Sequence, residues 1–86
     1  MFRILDNTGK SYGEYEYNSK ALGQAKRRAL NLVKKGCDVI IAEYDGDDFP
    51  YYYAMTWANG WMRFSSALLD LSKYEAILPA EYSLNI

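Results

Sequence analysis

The sequence predicts an α+β domain: an antiparallel ββαβββ sheet with one main helix on one face and a short helical C-terminal tail. Three observations predict it. Two short alternating stretches flank a turn at Asn7-Thr8-Gly9-Lys10. Residues 20–35 carry apolar positions at helical spacing and stop at a glycine. Two further apolar runs are joined by Asn59-Gly60, the strongest short hairpin signal.

Each element has its own justification. Residues 1–6 read as a strand with Phe2 and Ile4 on one face and Arg3 and Leu5 on the other. Residues 12–17 read as its hairpin partner, with Tyr15 and Tyr17 on one side and Glu14 and Glu16 opposite. Asn18 or Ser19 is placed to cap a helix, since either side chain can accept from a first-turn N–H. Leu22, Ala25, Ala29 and Val33 form its core stripe, with Ala21 and Leu32 on the flank, and Gly36 suits the left-handed position after its end. Val39-Ile40-Ile41-Ala42 is apolar without alternation, as in a strand covered on both faces.

Residues 45–50 then read as an acidic loop and 51–58 as the next strand. A two-residue turn at Asn59-Gly60 would pair Trp57 with Met62, Met55 with Phe64 and Tyr53 with Ser66. That register expects Met55, Trp57, Met62, Phe64 and Tyr53 beneath the helix, and Tyr52, Thr56, Trp61 and Arg63 on the outer face. Ser72-Lys73-Tyr74-Glu75 has capping-box form and predicts a short helix ending before Pro79. Residues 80–86 are expected to fray or to lie across the sheet.

At 86 residues the chain is expected to be one domain, residues 1–86. Cys37 is the only cysteine, so no intrachain disulfide can staple the fold. The opening residues lack a secretory pattern, and no run approaches the ~20 apolar residues of a membrane helix. A cytoplasmic protein is expected, with no membrane partner.

The net charge of −1 conceals a segregation. Lys20, Lys26, Arg27, Arg28, Lys34 and Lys35 fall within 20–35 without an acid. Asp38, Glu43, Asp45, Asp47 and Asp48 fall within 36–53 without a base. The chain has no histidine, the commonest general base and metal ligand. No catalytic constellation, metal set or cofactor motif appears, so an enzyme is not expected.

Three surfaces are candidates. The outer set Tyr52, Thr56, Trp61 and Arg63 has hot-spot composition; its plain alternative is cross-strand packing beneath the tail. The acidic loop sets Glu43, Asp45, Asp47 and Asp48 beside Tyr44 and Tyr51. Carboxylates interleaved with aromatics suit a basic protein surface that normally holds nucleic acid. The alternatives are a solvated turn or a calcium loop, although the spacing matches no EF-hand. The helix face with Lys20, Arg27, Arg28, Lys34 and Lys35 could track phosphates, or serve solubility alone. The protein-partner residues are thus Glu43, Tyr44, Asp45, Asp47, Asp48, Tyr52, Trp61 and Arg63.

The passage "EYEYNSKALGQAKRRAL" resembles the strand-to-helix passage of small phage-encoded anti-CRISPR proteins of type I-F. The shared pattern is L-x-Q-A-K-R-x-A, carried by Leu22, Gln24, Ala25, Lys26, Arg27 and Ala29. The resemblance implies an antiparallel sheet with one helix that acts by binding alone. It implies docking on a CRISPR effector complex to block target-DNA hybridisation, nuclease recruitment or cleavage. The leading expectation is therefore a non-enzymatic inhibitor from a mobile element, monomeric or homodimeric, with a protein partner such as a CRISPR effector subunit. The alternatives are a small DNA- or RNA-binding regulator using the basic helix, and a homodimeric interaction module.

Overall fold

The computed structural model describes residues 1–79. The chain forms β1 (Phe2–Asp6), β2 (Ser11–Tyr15), α1 (Ala21–Lys34), β3 (Val39–Asp45), β4 (Asp48–Thr56) and β5 (Gly60–Ser65). One 3-10 turn, Leu71–Lys73, follows. All strand pairs are antiparallel, in the order β2-β1-β3-β4-β5. This is the expected α+β architecture, with the helix packed on β1, β2 and β3.

Alternation in β1 divides the core into two layers. Phe2 and Ile4 face the helix and meet Ala21, Ala25, Ala29, Leu32, Val33, Val39 and Ile41. Ala25 and Ala29 are fully buried, and such small side chains let the helix lie close to the sheet. Leu5, Ile40 and Ala42 point to the second face. Both faces of β3 are covered, which explains its unbroken apolar run. In β2, Ile4 pairs with Gly13 and Leu5 with Ser11, so Tyr12 is an extra, bulged residue. The bulge lets Tyr12 and Tyr15 both reach the helix-side core despite their odd spacing.

The helix ends as its sequence dictates. Gly36 has φ +91°, a value that strongly favours glycine. The Cys37 N–H donates to the Leu32 carbonyl and the Gly36 N–H to the Val33 carbonyl, at 3.0 and 2.9 Å. That pair of bonds is a Schellman motif, completed by apolar contact of Leu32 and Cys37 with the same core. The start differs from expectation by one or two residues. Lys20 occupies the cap position without a side-chain bond, and Asn18 Oδ1 accepts from the Lys20 N–H before the first turn.

The second face is closed by the chain's own tail. Leu69, Leu71 and Tyr74 pack on Leu5, Ile40 and Ala42 together with Tyr44, Phe49 and Tyr52. The tail then crosses the sheet end. Asn7 Nδ2 donates to the Tyr74 carbonyl at 3.3 Å, and the Ala76 N–H donates to Asp38 Oδ1 at 2.9 Å. Ala76 and Leu78 finally meet the helix-side core. The capping box expected at Ser72 does not form: Tyr74 is extended, and Ser72 Oγ donates to Asp70 instead. The expectation for residues 80–86 lies outside the described residues.

The β4–β5 register is the main correction. Asn59 does not take the positive φ that a two-residue turn demands of it, whereas Gly60 does, at +69°. The turn is Trp57-Ala58-Asn59. The Thr56 hydroxyl stabilises it, accepting from the Asn59 N–H at 3.1 Å and donating to the Gly60 carbonyl at 2.8 Å. Met62 therefore pairs with Ala54, and Trp61 with Met55. Relative to the expected pairing the register moves by three residues, an odd number, so β5 presents the opposite face.

Candidate functional site: the acidic, tyrosine-lined end

With β5 reversed, Trp61 and Arg63 lie on the helix side of the sheet, opposite Met55 and Tyr53. Trp61 packs against the helix-side core, while Trp57 sits in the turn, 61% exposed. Met62 and Phe64 are exposed rather than buried, and Phe64 leans on Tyr52 across the second face with ring centroids 5.6 Å apart. The expected outer patch is therefore split. Tyr52 is on the second face as predicted, Thr56 is tied into the turn, and Trp61 and Arg63 belong to the other side.

The expected acidic loop is also tighter than its composition implied. Asp45 pairs with Asp48, leaving only Gly46-Asp47 as the turn. Glu43 pairs with Tyr51, so Phe49 and Pro50 together oppose Tyr44. This bulge accommodates Pro50, which cannot donate to a ladder. It also turns Phe49 towards Tyr44, with ring centroids 5.4 Å apart.

The topology collects several predicted residues at this end. β1 begins here, since Phe2 pairs with Glu43 and the Tyr44 N–H donates to the Met1 carbonyl at 2.9 Å. Tyr17, just past β2, stacks edge-on against Phe2 at 4.8 Å and donates its hydroxyl to the Tyr44 carbonyl. Arg63 comes from β5 and donates through two nitrogens to Glu43, at 3.2 and 2.6 Å. Its guanidinium carbon lies 3.7 Å from the Tyr51 ring centre. On the second face, the Arg3 guanidinium stacks on Tyr44 at 4.6 Å and pairs with Glu14 at 2.9 Å.

Between these residues lies an open groove of about 460 Å³, lined by Phe2, Tyr17, Glu43, Tyr44, Asp45, Pro50 and Tyr51. A second depression, about 390 Å³, lies beyond Pro50, with Asp47, Asp48, Phe49 and Leu69 among its walls. Asp45, Asp47 and Asp48 are all exposed. Burial foremost, then the Glu43 and Asp45 carboxylates, push the Tyr17 phenol above the usual range, with Arg63 opposing. The Glu43 hydrogen bonds raise the Arg63 guanidinium in turn.

Of the predicted partner-binding residues, Glu43, Tyr44, Asp45, Asp47 and Asp48 meet here, with Arg63 joined through Glu43. Tyr52 and Trp61 do not line the larger groove. Sequence reasoning missed Tyr17, Phe2 and Pro50 as its walls. No local signal marks them, because only the pairing of β1 with β3 brings the open end of the β1–β2 hairpin to Glu43. Lys20, Arg27, Arg28, Lys34 and Lys35 are exposed along the helix. Among the described residues no cluster of three or more His, Cys, Asp or Glu could hold a metal ion, and no helix is long and apolar enough to cross a membrane. Cys37 is half-buried against the core. Comparison of the chain with known protein families, characterised proteins and solved structures finds no significant match.

Proposed function

We propose that this chain is a non-enzymatic binding protein of a mobile element, one that inhibits a host defence complex in the manner of the anti-CRISPR proteins its helix passage resembles. The acidic, tyrosine-lined end is the docking surface. The observation that carries this reading is the placement of three exposed carboxylates, Asp45, Asp47 and Asp48, around grooves walled by tyrosine and proline. Such an end is complementary to a cationic channel built to hold nucleic acid, where opposite potentials speed encounter and exclude wrong partners. The rigid rings add contact area at low entropic cost, because tyrosine has few rotatable bonds.

Plating of a targeted phage on a bacterium with active type I-F immunity tests the reading. Expression of the chain is expected to restore plaques against the empty vector. Unchanged plating removes this defence complex as the target.

A second reading rests on the cationic helix, where Lys20, Arg27, Arg28, Lys34 and Lys35 are exposed. A small DNA- or RNA-binding regulator would use them on phosphates, and its affinity would fall steeply with salt. A gel shift at low salt with no complex eliminates it.

A further inference from the structure

The Tyr17–Tyr51 groove has the chemistry of a receptor for one particular kind of side chain. Tyr17 is 52% exposed and Tyr51 38% exposed, so both rings offer surface to an incoming group. Both are already held. Tyr17 is fixed by its hydroxyl on the Tyr44 carbonyl and its edge on Phe2. Tyr51 is fixed beneath the Arg63 guanidinium. Pro50 lines the groove beside them without adding a donor, and Asp45 supplies negative charge at the wall, since both Glu43 oxygens are taken by Arg63. The molecule also contains its own example of the chemistry. Arg63 is held by a fork onto Glu43 and a stack on Tyr51, the geometry in which a planar guanidinium is bound best.

We infer that this groove receives an arginine side chain of the partner, stacked on the free surfaces of Tyr17 and Tyr51 and balanced by Asp45. The inference deepens the proposed docking surface and rests on that reading for its biological setting. Its chemistry stands on the groove alone. A nucleic-acid channel is rich in arginine, so the occupant is what such a channel supplies. Because the rings are prearranged, little side-chain freedom is lost on binding.

The test needs no partner protein. The peptide acetyl-Gly-Arg-Gly-amide is titrated into the full chain while the ring resonances of Tyr17 and Tyr51 are followed by NMR. The neutral isostere acetyl-Gly-citrulline-Gly-amide is the control. Saturable shifts of both rings are expected with the arginine peptide, and at least about tenfold weaker binding with citrulline, the size of a charge-assisted contact. Tyr17→Ala and Asp45→Asn, at exposed positions, are each expected to weaken the arginine response severalfold. Silent rings, or equal responses to the two peptides, overturn the inference. Shifts in the wild type that persist undiminished in both variants also overturn it. Loss of plaque protection with an intact peptide response would instead count against the defence-complex target.

Discussion

Arg63 of β5 reaches across β4 to hold Glu43 of β3, with nitrogen–oxygen distances of 3.2 and 2.6 Å, and lies 3.7 Å above the ring of Tyr51 between them. The contact ties three strands together at the acidic end. It exists only in the observed register, because the expected two-residue turn would have sent Arg63 to the opposite side of the sheet. It also neutralises Glu43, leaving Asp45, Asp47 and Asp48 as the exposed charges of the turn.

The Arg63 side chain is 46% exposed and that of Glu43 20%, so solvent screening limits the pair. Arg63→Ala is expected to lower the urea midpoint only slightly, chiefly through lost stacking and ion pairing. Urea denaturation at low and high salt checks this, and the difference is expected to shrink as salt rises. A large loss that salt leaves unchanged would contradict this screened, partly exposed pair.

The two tryptophans separate by exposure. Trp57 is 61% exposed in the turn, whereas Trp61 is half-buried against the helix-side core. Trp61→Phe is expected to leave emission that iodide quenches readily, and Trp57→Phe to leave emission that is protected. The reverse order would restore the two-residue turn and its inverted faces.

Acid stability is expected to depend on Asp6. Its carboxylate accepts from the Thr8 hydroxyl at 2.6 Å, the Thr8 and Lys10 N–H groups at 2.9 and 3.0 Å, and the Tyr12 hydroxyl at 2.9 Å. The Thr8 hydroxyl foremost, outweighing the opposing effect of burial and helped by the other donors, lowers its pKa to about 2. The folded state therefore favours the charged form. Its contribution is complete above the unfolded value of about 4 and is lost as pH falls through about 2. Urea midpoints between pH 5 and 2 are expected to fall more steeply in the wild type than in Asp6→Asn. Parallel curves would refute the assignment.

Alkali should act through Tyr74. Burial foremost, with Tyr52 and Asp38 nearby, pushes its phenol up to about 12. The unfolded chain loses this proton near pH 10, so the neutral form favours folding below that and its contribution declines between about 10 and 12. Absorbance at phenolate wavelengths is expected to show raised titration from Tyr12 and Tyr17 and a latest component, near pH 12, that disappears in Tyr74→Phe. Its persistence in that variant would place the late group elsewhere. The same substitution is expected to keep the tail in place at neutral pH, since the Asn7 bond goes to the Tyr74 backbone.

Most of the fold was legible because its signals are local. The helical stripe at Ala25, Ala29 and Val33 and the continuous run at Val39–Ala42 report burial directly, and Gly36 marks the stop; Ala21, placed on the flank, is buried, whereas Leu22, placed in the stripe, is half-buried. The register of β4 and β5 was not, because Asn59-Gly60 satisfies two turn geometries. Choosing between them depends on Thr56, whose hydroxyl bonds both Asn59 and Gly60. Energetics beyond the turn agree with that choice, since it buries Met55 against Trp61 and brings Arg63 to Glu43. The site was legible in its charges but not in its walls. Asp45, Asp47 and Asp48 announce an acidic turn, whereas Phe2 and Tyr17 join it only through the non-local pairing of β1 with β3. The bulge opposite Tyr44 was likewise hidden behind a proline that read as loop.

The central claim is that the acidic end, and not the basic helix, engages the partner. Two charge variants measured side by side in the plating assay test it most directly. Asp45, Asp47 and Asp48 are replaced together by Asn in one, and Lys20, Arg27 and Arg28 together by Gln in the other. All six side chains are exposed, so both variants are expected to keep the wild-type thermal midpoint within a few degrees. Protection is expected to collapse in the acidic variant and to survive in the basic one. Full protection in the acidic variant, or its loss only in the basic variant, would contradict the account.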